Sequence, residues 1–366
     1  MKFIQRQRHW IVLIWGLLLL VFYACISYQA ISTLYEDRVY SSRLHRERLD
    51  PRAMEEDKTQ VDFSKLAPPD GKLKKVSVGI YVDRIVEIST KATDWTVDFY
   101  LWFNWRGNSI DPGKDFQVID GEILSKTKDE SDTVGDKHYA LYRVTARITK
   151  FFNIVRYPLD NHLLTIRIED RQHTWEQLQY VPDIDGAAYS SRVEVPGYVL
   201  SNAKLISKPH AYKTSRGDPR LPSNSQAVYS QLTYGIDIER RDCGLYIKTF
   251  QGLFASVAIA LLTFILGPLS GERISLGVGA FFASVASGYL NMSELPGVGM
   301  VTMVDVVNGF GMVTIFLTLL ASVISARLAK HTEQIPTAVL FDRASLLVFA
   351  VCFVAFNVTA AIAAVP

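Results

Sequence analysis

Five apolar runs fix most of what this chain can fold into. Trp10 to Tyr28, Thr249 to Gly271, Ile274 to Ser293, Val306 to Ala326 and Ala344 to Pro366 carry no Asp, Glu, Lys or Arg. Each is about the length needed to cross a hydrocarbon core of roughly 30 Å. The chain is therefore expected to be an integral membrane protein, with its apolar excess concentrated in spans rather than spread through a soluble core.

The charges between the runs suggest an orientation. Lys2, Arg6 and Arg8 precede the first run, which reads either as a signal peptide or as a retained anchor. The run is long for a signal peptide, and only Cys25-Ile26-Ser27 approaches a small-x-small cleavage site. As an anchor, its basic flank stays in the cytoplasm and the following region lies outside. Arg327, Lys330 and Arg343 fall between the fourth and fifth runs, on the cytoplasmic side again if all five cross. The region around Ser270 then becomes a short cytoplasmic turn, and Pro366 lies outside.

Between the first and second runs, roughly Gln29 to Lys248, the sequence is polar and long enough to bury a core of its own. Ile31 to Asp70 is charged and reads as a connector, with SRLHRERLDPRAMEEDK continuing the first helix until a break near Pro51. From Lys75 the pattern changes to VSVGIYVDRIVEI, TVDFYLWFNW, YALYRVTARIT, HLLTIRIED, GYVLSNAKLI and AVYSQLTYGIDIE. Six alternating segments separated by turn formers predict an antiparallel β-sandwich. In TVDFYLWFNW, Val97, Phe99, Leu101, Phe103 and Trp105 share one face, and Asp98, Tyr100, Trp102 and Asn104 share the other. Two aromatics on the outward face suit either an interface or a ligand wall.

Several function classes drop out. A formal charge of +2 with no basic tail gives no footprint for nucleic acid. Cys25 and Cys352 lie in apolar runs and leave Cys243 without a partner in the soluble domain, so no disulfide framework or cysteine zinc site is expected. HExxH, GxSxG and Walker-type loops are missing, and the chain is not expected to be an enzyme or to need a cofactor or metal.

The stretch SGERISLGVGAFFASV, Ser270 to Val285, admits two readings. Ser270 can cap a helix and Glu272 suits its first turn. Yet Ser275, Gly279, Phe282, Ala286 and Tyr289 recur at helical spacing on the stripe that contains Glu272. Small residues there serve either close helix packing or the wall of an ion pathway, and an ionisable group at the membrane boundary favours the pathway. One helix cannot enclose a pore, so that reading requires a symmetric ring of copies with Glu272 repeated as a carboxylate ring.

From about Lys75 to Pro366 the chain resembles the pentameric ligand-gated ion channels, the Cys-loop receptor family and its bacterial relatives. SGERISLGV resembles the start of the pore-lining helix in cation-selective members, and Glu294-Leu295-Pro296 resembles its outer end and the following loop. FFNIVRYPLD, with Pro158 and Asp160, resembles the family's Phe-Pro-x-Asp turn, with Tyr157 in place of the Phe. Lys150 and Leu164 stand where animal receptors place the two bridging cysteines, so packing must hold the loop. Arg240 and Arg241 precede the second run as basic residues do before the family's first pore-domain helix, although Gly252 stands near the position of a common proline.

The resemblance implies a homopentamer with 75–244 as extracellular β-sandwich and 245–366 as four-helix pore domain, ahead of which the residues themselves read as a membrane anchor over 1–30 and a connector over 31–74. It further implies a cation-selective channel of the bacterial inner membrane, opened by a ligand or protons at an outer domain on the periplasmic or extracellular side. Glu272, Ser275, Gly279, Phe282, Ala286 and Tyr289 would line the pore, with Phe282 a hydrophobic gate and Arg273 turned away. Tyr100, Trp102, Trp175 and Tyr229 would wall a ligand site between subunits, Trp175 matching only with a few residues inserted after Pro158. Pro158, Asp160, Arg241, Glu294 and Pro296 would couple the domains, with Asp160 paired to Arg241. The first 74 residues lie outside the resemblance, and the extra helix would brace the bundle, recruit a partner or be removed. A bulky Phe282 also fits a second class, a non-conducting receptor or assembly protein on the same fold.

Overall fold

The structure is a computed structural model that describes residues 2–53, 73–219, 221, 225–240, 244–293, 299–330 and 335–366. It divides into two compact units. One comprises Met1–Tyr40, Asn153–Asp160 and Asp242–Pro366, and the other Ser41–Phe152 and Asn161–Arg241.

Five long helices dominate the first unit: α1 (Lys2–Arg48), α3 (Gly244–Leu262), α4 (Glu272–Ser293), α5 (Met303–Ala329) and α6 (Ile335–Ala364). All five are long and apolar enough to cross a membrane. Their shared core is aromatic and aliphatic, with Tyr23 of α1, Phe250 and Leu253 of α3, Phe310 of α5 and Phe349 and Phe356 of α6 buried together. Phe310 stacks on Phe356 with ring centroids 3.7 Å apart.

The elements end where local chemistry stops them. α3 finishes at Leu262, short of Gly271 where the apolar run ends. Pro268 has no N–H to continue a helix, and the Thr263 hydroxyl donates back to the Ala260 carbonyl at 2.7 Å. α5 opens with a capping box: the Thr302 side chain accepts from the Asp305 N–H, and the Asp305 carboxylate accepts from the Thr302 N–H. α4 begins at Glu272, which puts Gly271 rather than Ser270 at the cap position.

α1 is one helix of 47 residues. At 1.5 Å per residue it is about 70 Å long, more than twice a hydrocarbon core. Its apolar half is a working part of the bundle. Tyr23 donates to the Thr314 hydroxyl of α5 at 2.9 Å, Trp15 Nε1 donates to the Ser345 hydroxyl of α6 at 3.1 Å, and Trp15 lies 5.5 Å from the Phe341 ring.

Among its described residues the second unit holds two β-sheets, the short helix α2 (Pro112–Asp115) and the last turns of α1 from Ser41. The first sheet has β1 (Lys74–Ser89), β2 (Asp94–Arg106), β4 (Gly121–Val134), β5 (Lys137–Thr149), β7 (Leu178–Pro182) and β8 (Ala188–Tyr189), on the path β4-β5-β2-β1-β7 with β8 also on β1. The second runs β3-β6-β10-β9, from β3 (Phe116–Ile119), β6 (Asn161–Asp170), β9 (Tyr198–Ala211) and β10 (Val228–Arg240). Alternate residues of both sheets supply the core, including Val76, Phe99, Phe103, Val144, Ile166, Ile168 and Leu232. Rings from the two sheets meet there, Phe103 lying 5.6 Å from Phe116.

The six expected strand segments fall in β1, β2, β5, β6, β9 and β10. The sheets are not wholly antiparallel, since β1 pairs in parallel with β7 and β8. β7 reaches β1 by crossing from the other sheet, and a crossover is free of the hairpin's antiparallel constraint.

Candidate functional site

On α4 the helical period sorts the small residues onto two faces. Gly277, Ala280, Ser284 and Gly288 are buried against the bundle. A methyl group at Gly277 would meet Leu319 of α5 at 2.3 Å, so this glycine permits a close helix approach. At Gly252 of α3 a methyl would meet the Ser287 hydroxyl at 2.6 Å, the same device on the α3 side.

The other face is Glu272, Ser275, Gly279, Phe282, Ala286 and Tyr289, every one exposed on the single chain. A methyl at Gly279 would touch nothing within 4 Å. Phe282 is 67% exposed and Tyr289 75% exposed. α4 also exposes Ile274, Val278, Val285 and Leu290, but the outward face of α6 is aliphatic along its length, with Leu347, Val351, Val354, Val358 and Ile362 exposed. Large aliphatics of that kind suit contact with lipid, whereas small, hydroxyl and carboxylate groups at helical spacing do not.

Arg273, next to Glu272, turns the opposite way. Its guanidinium makes a bidentate pair with Asp342 of α6, at 3.0 and 2.9 Å, and lies 3.4 Å from the Ser325 hydroxyl of α5. Both partners are buried. Adjacent opposite charges therefore separate: Arg273 ties three helices together and Glu272 is left exposed.

The loop around Pro158 is held by a residue that sequence reasoning missed. Arg156 is buried, donates Nε to Asp37 of α1 at 2.9 Å, and donates Nη1 to the Ala364 carbonyl at the end of α6 at 2.8 Å. Asn153 donates to the other Asp37 oxygen at 2.7 Å, and the Met303 N–H at the start of α5 donates to the Val155 carbonyl at 2.7 Å. Pro158 and Asp160 are buried in this loop. The loop is thus packed without a disulfide, as the sequence required, and clasped by an ion pair besides. Arg241, Glu294 and Pro296 lie outside the described residues, and so does the expected Asp160 to Arg241 pair.

The four aromatic candidates form two groups, one on β2 and one where the turn at Trp175 meets β10. Tyr100 and Trp102 are on β2. The Tyr100 ring faces the Arg143 guanidinium at 5.4 Å, and Arg143 is bound to buried Asp98 at 2.8 Å. That carboxylate holds the Arg143 guanidinium still more firmly protonated than usual. Trp102 Nε1 donates to Asp183 at 3.0 Å and its ring covers Gly79, where a methyl would lie 2.1 Å from the ring.

Trp175 and Tyr229 belong to the second group. The Trp175 N–H donates to the Val228 carbonyl at 2.8 Å, which sets the two side by side. Tyr212, at the end of β9, lies edge-on to Tyr229 at 5.8 Å. Arg216, from the β9–β10 loop, lies 4.4 Å above Tyr212 and 5.7 Å from Tyr229. Beside them Glu169 of β6 is fully buried. It accepts from Tyr212 at 2.8 Å and Gln231 at 2.8 Å, and shares a hydrogen bond with His210 Nδ1 at 2.5 Å. Burial and the Glu169 charge push the Tyr212 phenol pKa up. Register alone would have collected this cluster, since Tyr229 opposes His210 and Gln231 opposes both Lys208 and Glu169. The sequence signal was an unexplained glutamate at the end of an alternating strand. Compared with protein-family models and with curated proteins, the chain gives no match.

Proposed function

We propose that this chain is one subunit of a homopentameric, cation-selective channel of the pentameric ligand-gated type, with α4 lining the pathway. The observation that carries the reading is the outer face of α4. It exposes Ser275, Gly279 and Ala286 with Phe282 among them, and is headed by the exposed carboxylate of Glu272, while the same chain surfaces α6 with large aliphatics alone. Repeated around an axis, Glu272 concentrates cations at one mouth, Ser275 offers a hydroxyl to the ion, and Phe282 closes the path by dewetting. In this reading the two sheets form an outer β-sandwich on the periplasmic or extracellular side of an inner membrane, and the protein performs no enzymatic step.

The ligand site is read as lying between subunits, where the Trp175, Tyr212 and Tyr229 group of one copy meets the Tyr100 and Trp102 face of the next. Aromatic faces with a buried carboxylate suit a small cation. Arg216 already supplies one cation to Tyr212 and Tyr229, so an incoming ligand must displace or pair with it. Motion of this region would reach the helices through the Pro158 loop, where Arg156 and Asp37 act together.

Phe282 favours a second reading, a non-conducting receptor on the same fold, because a bulky ring on the stripe can shut the path. Single-channel recording of purified protein in bilayers separates the two. The channel reading expects current, larger openings in Phe282→Ala, and reduced cation preference in Glu272→Gln. Silence in both the parent and Phe282→Ala under varied pH, calcium and organic amines would leave the receptor reading standing.

A further inference from the structure

At one end of the β-sheet unit, the starts of β1 and β5 and the end of β2 frame a surface cleft of about 640 Å³. Its charge is one-sided. Lys74, Lys75, Arg106 and Lys137 line it together with His138, and among the described residues no carboxylate does. Arg106 and Lys137 are direct cross-strand partners in the antiparallel β2–β5 pair. Like charges in that position oppose strand pairing.

Elsewhere the same sheet neutralises its arginines. Arg84 and Arg143 pair with Asp98, Arg147 pairs with Glu122, and Arg192 pairs with Asp83. Among the described residues the four cations of the cleft have no such partner. The cleft therefore gathers four cations that no carboxylate among the described residues neutralises.

Behind the wall of the cleft, two ring nitrogens lack a partner among the described residues. Trp105 stacks on His138 with centroids 5.2 Å apart and planes 21° from parallel. The Thr133 hydroxyl lies 3.1 Å from His138 Nδ1. With that hydroxyl donating, the imidazole proton sits on Nε2. Trp105 Nε1 and His138 Nε2 are both buried, and neither has a partner among the described residues. A buried polar group left unmatched is costly, and a turn of either ring towards the cleft would give its nitrogen an acceptor bound there.

We propose that this cleft binds a small polyvalent oxyanion, a di- or tricarboxylate or a phosphate, held by Lys75, Arg106 and Lys137 and by donors from the Trp105–His138 stack. Ionised acceptors make short, strong hydrogen bonds to such groups and relieve the repulsion between Arg106 and Lys137. The site adjoins the Trp102 side of β2 through Asn104 and Ser77, and it stands whether or not the chain conducts ions.

Calorimetric titration of the purified full-length protein in detergent tests it, with citrate in one arm and inorganic phosphate in the other at constant chloride. Saturable binding in either arm is expected, weakening as salt is raised and falling at least about tenfold in an Arg106→Gln, Lys137→Gln double variant. Circular dichroism and elution volume establish that the variant is folded and assembled. A separate Trp105→Phe variant removes one donor and should weaken binding with all four cations intact. No saturable heat in either arm up to millimolar concentration, or binding unchanged in the double variant, overturns the proposal.

Discussion

Lys150 shows how one side chain can be read only once its neighbours are in place. In the sequence it stands where a bridging cysteine would stand in animal receptors of the family the chain resembles, and nothing more can be said. In the structure burial, with Arg48 and Arg167 nearby, pulls the ammonium pKa down to about 7, and the amine lies 5.3 Å over the Phe152 ring. The unfolded lysine binds its proton up to about pH 10.4. Between pH 7 and that value the unfolded state therefore holds more protons than the folded one, and stability rises with pH. Below pH 7 both states are protonated and the folded state bears the full cost of the buried charge. Thermal melts of the parent from pH 6 to 10, taken with Lys150→Met, should show a rise in the parent that is flatter in the variant; parallel curves would remove Lys150 from the balance. Arg156 was less legible still. Its partner Asp37 is 119 positions away, and no local pattern pairs residues across that distance.

The helices and strands differ in how much of them the sequence discloses. Hydropathy marked all five membrane-length helices, because a span must be apolar throughout. It gave their ends poorly, since α3 stops at a turn before Pro268 and α6 extends back to include Asp342 and Arg343. β4 was invisible for a different reason. Its sequence GEILSKTKDESDTV buries neither face, and the strand is held by its ladder to β5 rather than by a core. The two faces of α4 make a prediction of their own. Gly277→Ala forces Leu319 to move and should lower the melting temperature, whereas Gly279→Ala meets open space and should be neutral or stabilising by up to about 1 kcal/mol. Equal destabilisation by both would mean that the outward face is packed. The Arg273 to Asp342 tie is tested in the same way: Asp342→Asn strands a buried guanidinium and should cost about 3–5 kcal/mol, with much of the loss recovered by adding Arg273→Met. A small effect of Asp342→Asn alone would mean that water reaches the pair.

For the whole molecule, the sequence conveyed a two-part plan of sheets and spans, and the structure describes each part. Why the outer face of α4 is bare cannot be answered within one chain. A single copy exposes Glu272, Ser275, Gly279, Phe282 and Tyr289 along one stripe, and the proposed ring gives that face somewhere to turn. Particle images of the purified protein in lipid discs test this most directly. The account predicts five copies about one axis, with Glu272, Ser275, Gly279 and Phe282 of every α4 facing it. A monomer, or a ring in which that face of α4 meets lipid, would contradict it.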